Sequence, residues 1–259
     1  MATRTARAAA PLSAYVLHRY DWSESSLIID LFTREQGRVA VAAKGAKRPH
    51  SQLRGVLLPF QRLHVSLGRL ADGEGASEVQ TLRQAEWAGG MAMLAGAALF
   101  SGFYLNELLM KLLARHDPHP ALFDAYAATL PSLATSDDTQ GQAALRAFEL
   151  TLLRQTGLLP ELDVVTLTQQ PVQPSAAYAL RPEAGLAASV PARDGDAELT
   201  GAALVGLQAA LEHGSLAALQ QACAASLPAL KGQLRALLHY HVGTPVLRTR
   251  QVMMDLQNL

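Results

Sequence analysis

Arg38-Val39-Ala40-Val41-Ala42-Ala43-Lys44-Gly45-Ala46-Lys47-Arg48-Pro49-His50-Ser51-Gln52-Leu53-Arg54-Gly55 is the stretch on which the reading of this chain turns. It begins as a strand: Val39, Val41 and Ala43 alternate with Arg38, Ala40, Ala42 and Lys44, so one face is apolar and the other carries a cation at each end. It then becomes a loop. Pro49 forbids a continuing ladder, and Gly45 permits a tight turn. Lys44, Lys47, Arg48 and Arg54 follow one another with no acid among them, which makes a candidate phosphate-binding edge.

Outward from this stretch, residues 12–85 read as a small β domain. Residues 12–19 form a first strand and 26–33 a second, with Glu35-Gln36-Gly37 as the hairpin loop into the strand at Arg38. Residues 60–67 alternate again, with Leu63, Val65 and Leu67 inward and Phe60, Arg62, His64 and Ser66 outward. A Gly-rich loop, Asp72-Gly73-Glu74-Gly75, precedes a last strand over 77–84. Five short strands in this length predict a closed barrel of the oligonucleotide-binding (OB) type, which removes the edges an open sheet would expose.

From about Met91 the period becomes helical. The spacing predicts helices over 91–115, 121–133 and 143–156, the last preceded by a polar loop and ended by Gly157. Residues 158–198 are rich in proline and predict a β-hairpin, with strands over 178–181 and 186–190 and Gly185 in its turn. Helices then resume over 199–212 and 215–240, the second bent at Pro228, before a basic and then apolar segment over 248–259. The fold class is α+β: a short arm (1–11), an OB barrel (12–85), a helical domain in two parts (90–157 and 199–259) and the hairpin insertion (158–198).

The chain of 259 residues has zero net charge, but the charge is segregated. Residues 1–70 hold 11 Lys and Arg against 4 acids, residues 71–230 hold 7 against 17, and the last 29 hold 4 against 1. A basic front, an acidic middle and a basic tail suggest different partners for different parts. The single cysteine, Cys223, excludes an internal disulfide and a cysteine-rich metal site, so a cytosolic address is the simpler reading. No signal peptide or bilayer-spanning run is visible.

Several separated motifs occur in a recognisable order: Ala14-Tyr15-Val16-Leu17-His18, Trp22-Ser23-Glu24-Ser25-Ser26-Leu27, Phe32-Thr33, Gly37-Arg38, Ala43-Lys44-Gly45-Ala46, Tyr104-Leu105-Asn106-Glu107-Leu108-Leu109 and Leu145-Arg146-Ala147-Phe148-Glu149-Leu150. The pattern resembles the RecO family of bacterial recombination mediators, most clearly from residue 14 to 160. The resemblance implies a non-enzymatic protein of DNA repair by the RecF pathway of homologous recombination, cytoplasmic and associated with the nucleoid. It implies binding of single- and double-stranded DNA, annealing of complementary strands and help in loading recombinase. Implied partners are RecR and the C-terminal tail of single-stranded DNA-binding protein. Many members carry a four-cysteine zinc site in the segment matching residues 158–198. This segment has no cysteine, so no metal or other cofactor is expected and hairpin packing is expected to take the zinc's place.

Two sets of residues are candidates for binding. Arg34, Arg38, Lys44, Lys47, Arg48, Arg54 and Arg62 are expected to line one groove and hold phosphates, each neutralised phosphate adding to the salt dependence of binding. The bland alternative is a solvated rim that keeps the barrel apart from its neighbours. Tyr20, Trp22, Phe60 and His64 are eligible to stack on bases, although Trp22 suits turn packing better and charge should outweigh stacking. On the predicted third helix Arg146, Leu150 and Arg154 form a row at spacings of four. The resemblance places the acidic tail peptide near Arg146 and Leu150; an ordinary amphipathic helix with Leu150 in the core is the alternative. His116-Asp117-Pro118-His119 and His239-Tyr240-His241 lack a third ligand, and no nucleophile elbow or phosphate loop is present. Two other classes stay open: a barrel that binds a protein instead of nucleic acid, and a metal-dependent hydrolase hidden among the acids of the middle segment.

Overall fold

The computed structural model describes residues 10–70, 78–91, 93–135, 137–189, 198–243 and 247–257. Most of the expected arm, the Gly-rich loop over 72–75, Ser77, Ser136, Val190 and Thr244-Pro245 lie outside them. The chain divides into two compact units, residues 1–92 with 113–123, and residues 93–112 with 124–259.

The first unit is the predicted barrel. Strands β1 (Leu12–Asp21), β2 (Leu27–Thr33), β3 (Gly37–Ala43), β4 (Gln61–Leu67) and β5 (Val79–Met91) close in the order β1-β2-β3-β5-β4. Neighbours run antiparallel except β3 and β5, which pair in parallel from Ala40↔Val79 to Ala42↔Thr81. The antiparallel β2–β3 register sets Leu31 opposite Val39, Ile29 opposite Val41 and Leu27 opposite Ala43. All three pairs therefore point to one side. Leu31, Val39, Ile29, Val41 and Ala43 join Ala14, Val16, Leu63, Val65 and Leu82 in the core, with Leu27 packed against it. A one-turn helix, α1 (Leu53–Val56), lies between β3 and β4.

Three expectations for this unit are corrected. The second face of β3 is also buried: Ala40 and Ala42 are almost inaccessible, and residues 113–123 return to Arg38 and to Phe32 of the neighbouring strand. Phe60 precedes β4 with a positive φ of 66° and is buried, so it offers no base a platform. β5 does not stop at Gln84 but runs to Met91, since two register shifts along β4 require extra length to pair Leu67 through Gln61.

The second unit is mainly helical: α2 (Gly96–Leu112), the body of α3 (Pro120–Leu133), α4 (Asp138–Gln155), α5 (Gly201–His213), α6 (Leu216–Ala224), α7 (Leu227–Val242) and α8 (Arg248–Gln257). α4 starts five residues before the expected position because the Asp137 carboxylate caps it, accepting from the N–H groups of Thr139 and Gln140. Residues 143–150 of α4 are all buried, so this helix is the unit's centre, not an amphipathic surface helix. The single helix expected over 215–240 is two, and Pro228 sits in the first turn of α7, where its missing N–H costs nothing.

The insertion forms a three-stranded sheet in the order β7 (Gly185–Ala188), β6 (Ala177–Arg181), β8 (Leu199–Thr200). Polar side chains cross-link it. Gln208 Oε1 accepts from the Leu162 N–H at 3.1 Å, and its amide nitrogen donates to Glu161 and Glu212. Gln233 accepts from the Leu180 N–H, and Thr166 Oγ1 from the Leu186 N–H. Gly185 has φ 69°, and a Cβ there would collide with the Thr166 side chain, so hairpin turn and preceding loop are fitted to each other. The thiolates of a zinc site are missing from this segment; its donors are amides, hydroxyls and carboxylates, which do not make a structural zinc centre.

Candidate nucleic-acid interface

β1 enters the barrel with Ala14 and Val16 in the core. A β-bulge between Val16 and His18 then shifts the phase of the strand, so that Arg19 pairs with Ile29 and takes the core-facing side where the barrel end opens. Its Nη1 donates to the Leu57 carbonyl at 3.2 Å. The β1–β2 turn and the β3–α1 connection meet at the same end. Lys47 ties them together: its Nζ lies 3.1 Å from Asp21 Oδ1 and donates to the Ser23 carbonyl at 2.9 Å, while its backbone N–H donates to the Ser25 carbonyl.

Arg19, Lys47 and Arg54 line a pocket of ≈ 440 Å³ whose apolar wall is Leu27, Ala46, Leu53 and Leu57. Asp21 is the acid among the lining residues. Lys44 and Arg48 are exposed on the same connection, where Gly45, at φ 72°, turns the chain. Five cations thus gather at one end of the barrel.

The other three predicted cations are elsewhere. OB folds commonly grip oligonucleotides with the outer face of the second and third strands. Here that face is occupied by residues 113–123 of the same chain. Phe123 packs on Phe32 and Tyr15 with ring centroids 5.4 and 5.3 Å apart, and the His116 N–H donates to the Arg38 carbonyl at 2.9 Å. Arg38 itself is mostly buried, with Nε 3.1 Å from Asp30 Oδ1 and Nη1 donating to the Leu113 carbonyl. Arg34 lies at the β2–β3 hairpin tip, separated from Lys44 by the length of β3, about 20 Å at the rise of an extended strand. Arg62, on β4, is half-buried and faces Tyr15, whose hydroxyl is raised in pKa by burial and partly offset by that guanidinium. The seven residues therefore do not line a single groove. Of the aromatic candidates, Tyr20, Trp22 and His64 are exposed, Trp22 at 58% in the turn that Lys47 holds.

The helical unit carries a second site. Its cleft of ≈ 460 Å³ is walled by α2 through Ala97, Phe100 and Tyr104, by α4 through Leu145 and Arg146, by α7 through Lys231, Arg235 and His239, and by α8 through Arg250, Met253 and Met254. Arg146 is 6% exposed, with Nη2 2.9 Å from Glu149 Oε1, and its buried Nε has no hydrogen-bond partner among the described residues. Glu149 also accepts from the Tyr104 hydroxyl at 2.7 Å. Burial raises the Glu149 carboxyl above its usual range against the lowering pull of Arg146, and raises the Tyr104 hydroxyl strongly. Leu150 is fully buried and lines nothing, and Arg154 is exposed but not part of the cleft. Of that predicted row only Arg146 reaches it.

Comparison with known proteins agrees with this architecture. Residues 10–91 match the family model "Recombination protein O N terminal" and residues 93–251 match "Recombination protein O C terminal". The chain belongs to the RecO family of DNA repair proteins. It is 57% identical to the DNA repair protein RecO of Polaromonas naphthalenivorans and 56% identical to that of a Polaromonas sp., each over 95% of this chain and 96% of the relative. A third, from Variovorax paradoxus, is 54% identical over the same shares.

Within this RecO-family fold, sequence reasoning misses Arg19 and most of the cleft. Arg19 is hidden because a bulge, invisible to strict alternation, turns it inward. Lys231, Arg235 and His239 recur at spacings of four on α7, a signal that the sequence does carry. Two of them are shifted: desolvation first, then Arg250 and Arg146, lowers Arg235, and desolvation, then Arg250 and Arg235, lowers His239. Among the described residues no group of His, Cys, Asp and Glu could hold a metal, and no helix is long and apolar enough to cross a membrane.

Proposed function

We propose that this protein is a non-enzymatic mediator of homologous recombination that binds single- and double-stranded DNA by their backbones, anneals complementary strands and helps load recombinase onto DNA coated with single-stranded DNA-binding protein, with RecR as partner. The observation that carries the reading is the gathering of Arg19, Lys44, Lys47, Arg48 and Arg54 at one barrel end while the β2–β3 face is self-occupied. Cations there displace counterions from phosphates and screen the repulsion between two strands without blocking their base edges. No covalent step is required of any residue. Cytoplasmic, nucleoid-associated work follows from the ligand. A strand-annealing assay at several salt concentrations, with and without single-stranded DNA-binding protein, tests it: salt-sensitive annealing that persists on coated strands is expected. A flat, salt-insensitive DNA titration instead favours a protein-binding adaptor.

The cleft favours a second activity of the same protein. Arg146, Lys231, Arg235, His239 and Arg250 surround an apolar floor of Phe100 and Leu145. An acidic peptide ending in a bulky apolar residue satisfies both, the charges steering and the pocket anchoring, which fits the tail of single-stranded DNA-binding protein.

A further inference from the structure

We infer that the last helix, α8, is a working wall of the peptide cleft, in which Arg250 supplies charge, Met253 and Met254 grip the ligand's apolar end, and Glu107 positions the helix. The inference rests on the peptide reading above.

A helix of ten residues is too short to persist alone in water, so α8 exists by docking. Its exposed N-terminal N–H groups need acceptors from outside. Glu107 of α2 supplies them, accepting from the Arg248 N–H at 2.8 Å, the Thr249 N–H at 2.9 Å and the Thr249 hydroxyl at 2.7 Å. One carboxylate thereby fixes both the start and the rotation of α8. Leu247, buried just before the helix, is the second anchor. With rotation fixed, Arg250, Met253 and Met254 share a face at spacings of three and four, and that face lines the cleft.

The docked helix brings a further cation toward Arg235 and His239, and no acid is among the described residues that line the cleft. Like charges oppose docking: after desolvation, the charge of Arg250 is the next cause that lowers the proton affinities of Arg235 and His239. An anion in the cleft reverses the sign. Ligand binding and α8 docking must then favour each other by the same factor, since coupling between two equilibria is reciprocal. Methionines, being unbranched and polarisable, suit the apolar end of a peptide that has to be gripped and released.

The test uses the full chain and a fluorescent peptide of four aspartates followed by a C-terminal phenylalanine, titrated by anisotropy at three salt concentrations. Arg250→Ala is expected to weaken binding about tenfold and flatten its salt dependence, as removal of a close charge does. Met253→Ala with Met254→Ala is expected to weaken it by a similar factor with the salt dependence kept. Arg235→Ala reports on the peptide reading itself. If Arg235→Ala weakens binding and the α8 variants bind like the parent, α8 is not part of the site and the peptide reading stands. If none weakens binding, both fall. Hydrogen exchange on Glu107→Ala supplies the positioning test: residues 248–257 are expected to exchange faster, and saturating peptide to restore their protection in part. Protection of α8 that ignores both the substitution and the peptide overturns the coupling.

Discussion

Arg38 Nε lies 3.1 Å from Asp30 Oδ1, diagonally across the β2–β3 pair, on a face of the barrel that its own chain covers. Asp30 is 2% exposed, and that guanidinium is its ion-pair partner. Arg38→Met leaves the carboxylate buried without its partner and is expected to cost about 3–5 kcal/mol of stability. Urea denaturation reads the loss, and DNA titration of the folded fraction is expected to keep the parent's salt slope. An unchanged denaturation midpoint together with weaker DNA binding would show that Arg38 serves phosphate instead.

The barrel-end cations should behave in the opposite way. Lys44→Ala, Arg48→Ala and Arg54→Ala combined remove exposed charge and leave the core intact. Each phosphate that is no longer neutralised lowers the salt slope for a single strand by about 0.7, so the triple variant should bring it down by about 2. Arg34→Ala, at the far end of β3, is the internal control and should leave the slope in place. Equal effects from both would mean that strands wrap the barrel lengthwise.

Trp22 stands in the turn that Lys47 holds by its Ser23 carbonyl bond. A base stacked on an aromatic ring contributes about 1–3 kcal/mol, so Trp22→Ala should weaken single-strand binding by at least several-fold and duplex binding less. The chain has two tryptophans, Trp22 and Trp87, both exposed. In a Trp87→Phe background, single-stranded DNA should quench the remaining emission; quenching that appears only when Trp87 is retained would assign the platform to β5.

The barrel is legible because alternation along β2, β3 and β4 is a local signal, and positions read from it, such as Ile29, Val41 and Leu63, are in the core, with Leu27 and Leu67 packed against it. What cannot be read locally is what covers the other face. Ala40 and Ala42 look like solvent positions and are buried, and the return of residues 113–123 takes Arg38 out of reach of a ligand. The helical unit shows the same limit. The motif points to Arg146, yet its neighbours come from α2, α7 and α8, more than a hundred residues away in the last case, and only tertiary packing joins them. Leu150 falls in the core and not in the cleft because one-face reasoning fails for a helix buried on every side.

His239 gives the cleft a pH dependence of predictable sign. Desolvation, then the charges of Arg250 on α8 and Arg235 on its own helix, depress its pKa below the ordinary 6.5. A depressed histidine is neutral in the free protein at neutral pH, and the stability it contributes is present above 6.5 and lost as pH falls through its lower folded value. An acidic peptide beside it favours the protonated ring and pulls the pKa back up, so binding takes up a proton. Affinity for the aspartate peptide should therefore tighten as pH falls through about 6.5 toward the lower value of the free protein. Calorimetry in two buffers of different ionisation enthalpy should show proton uptake at the acid end of that window. His239→Gln should abolish the uptake and flatten the profile while Lys231, Arg235 and Arg250 keep most of the affinity; uptake that survives the substitution would place the titrating group elsewhere.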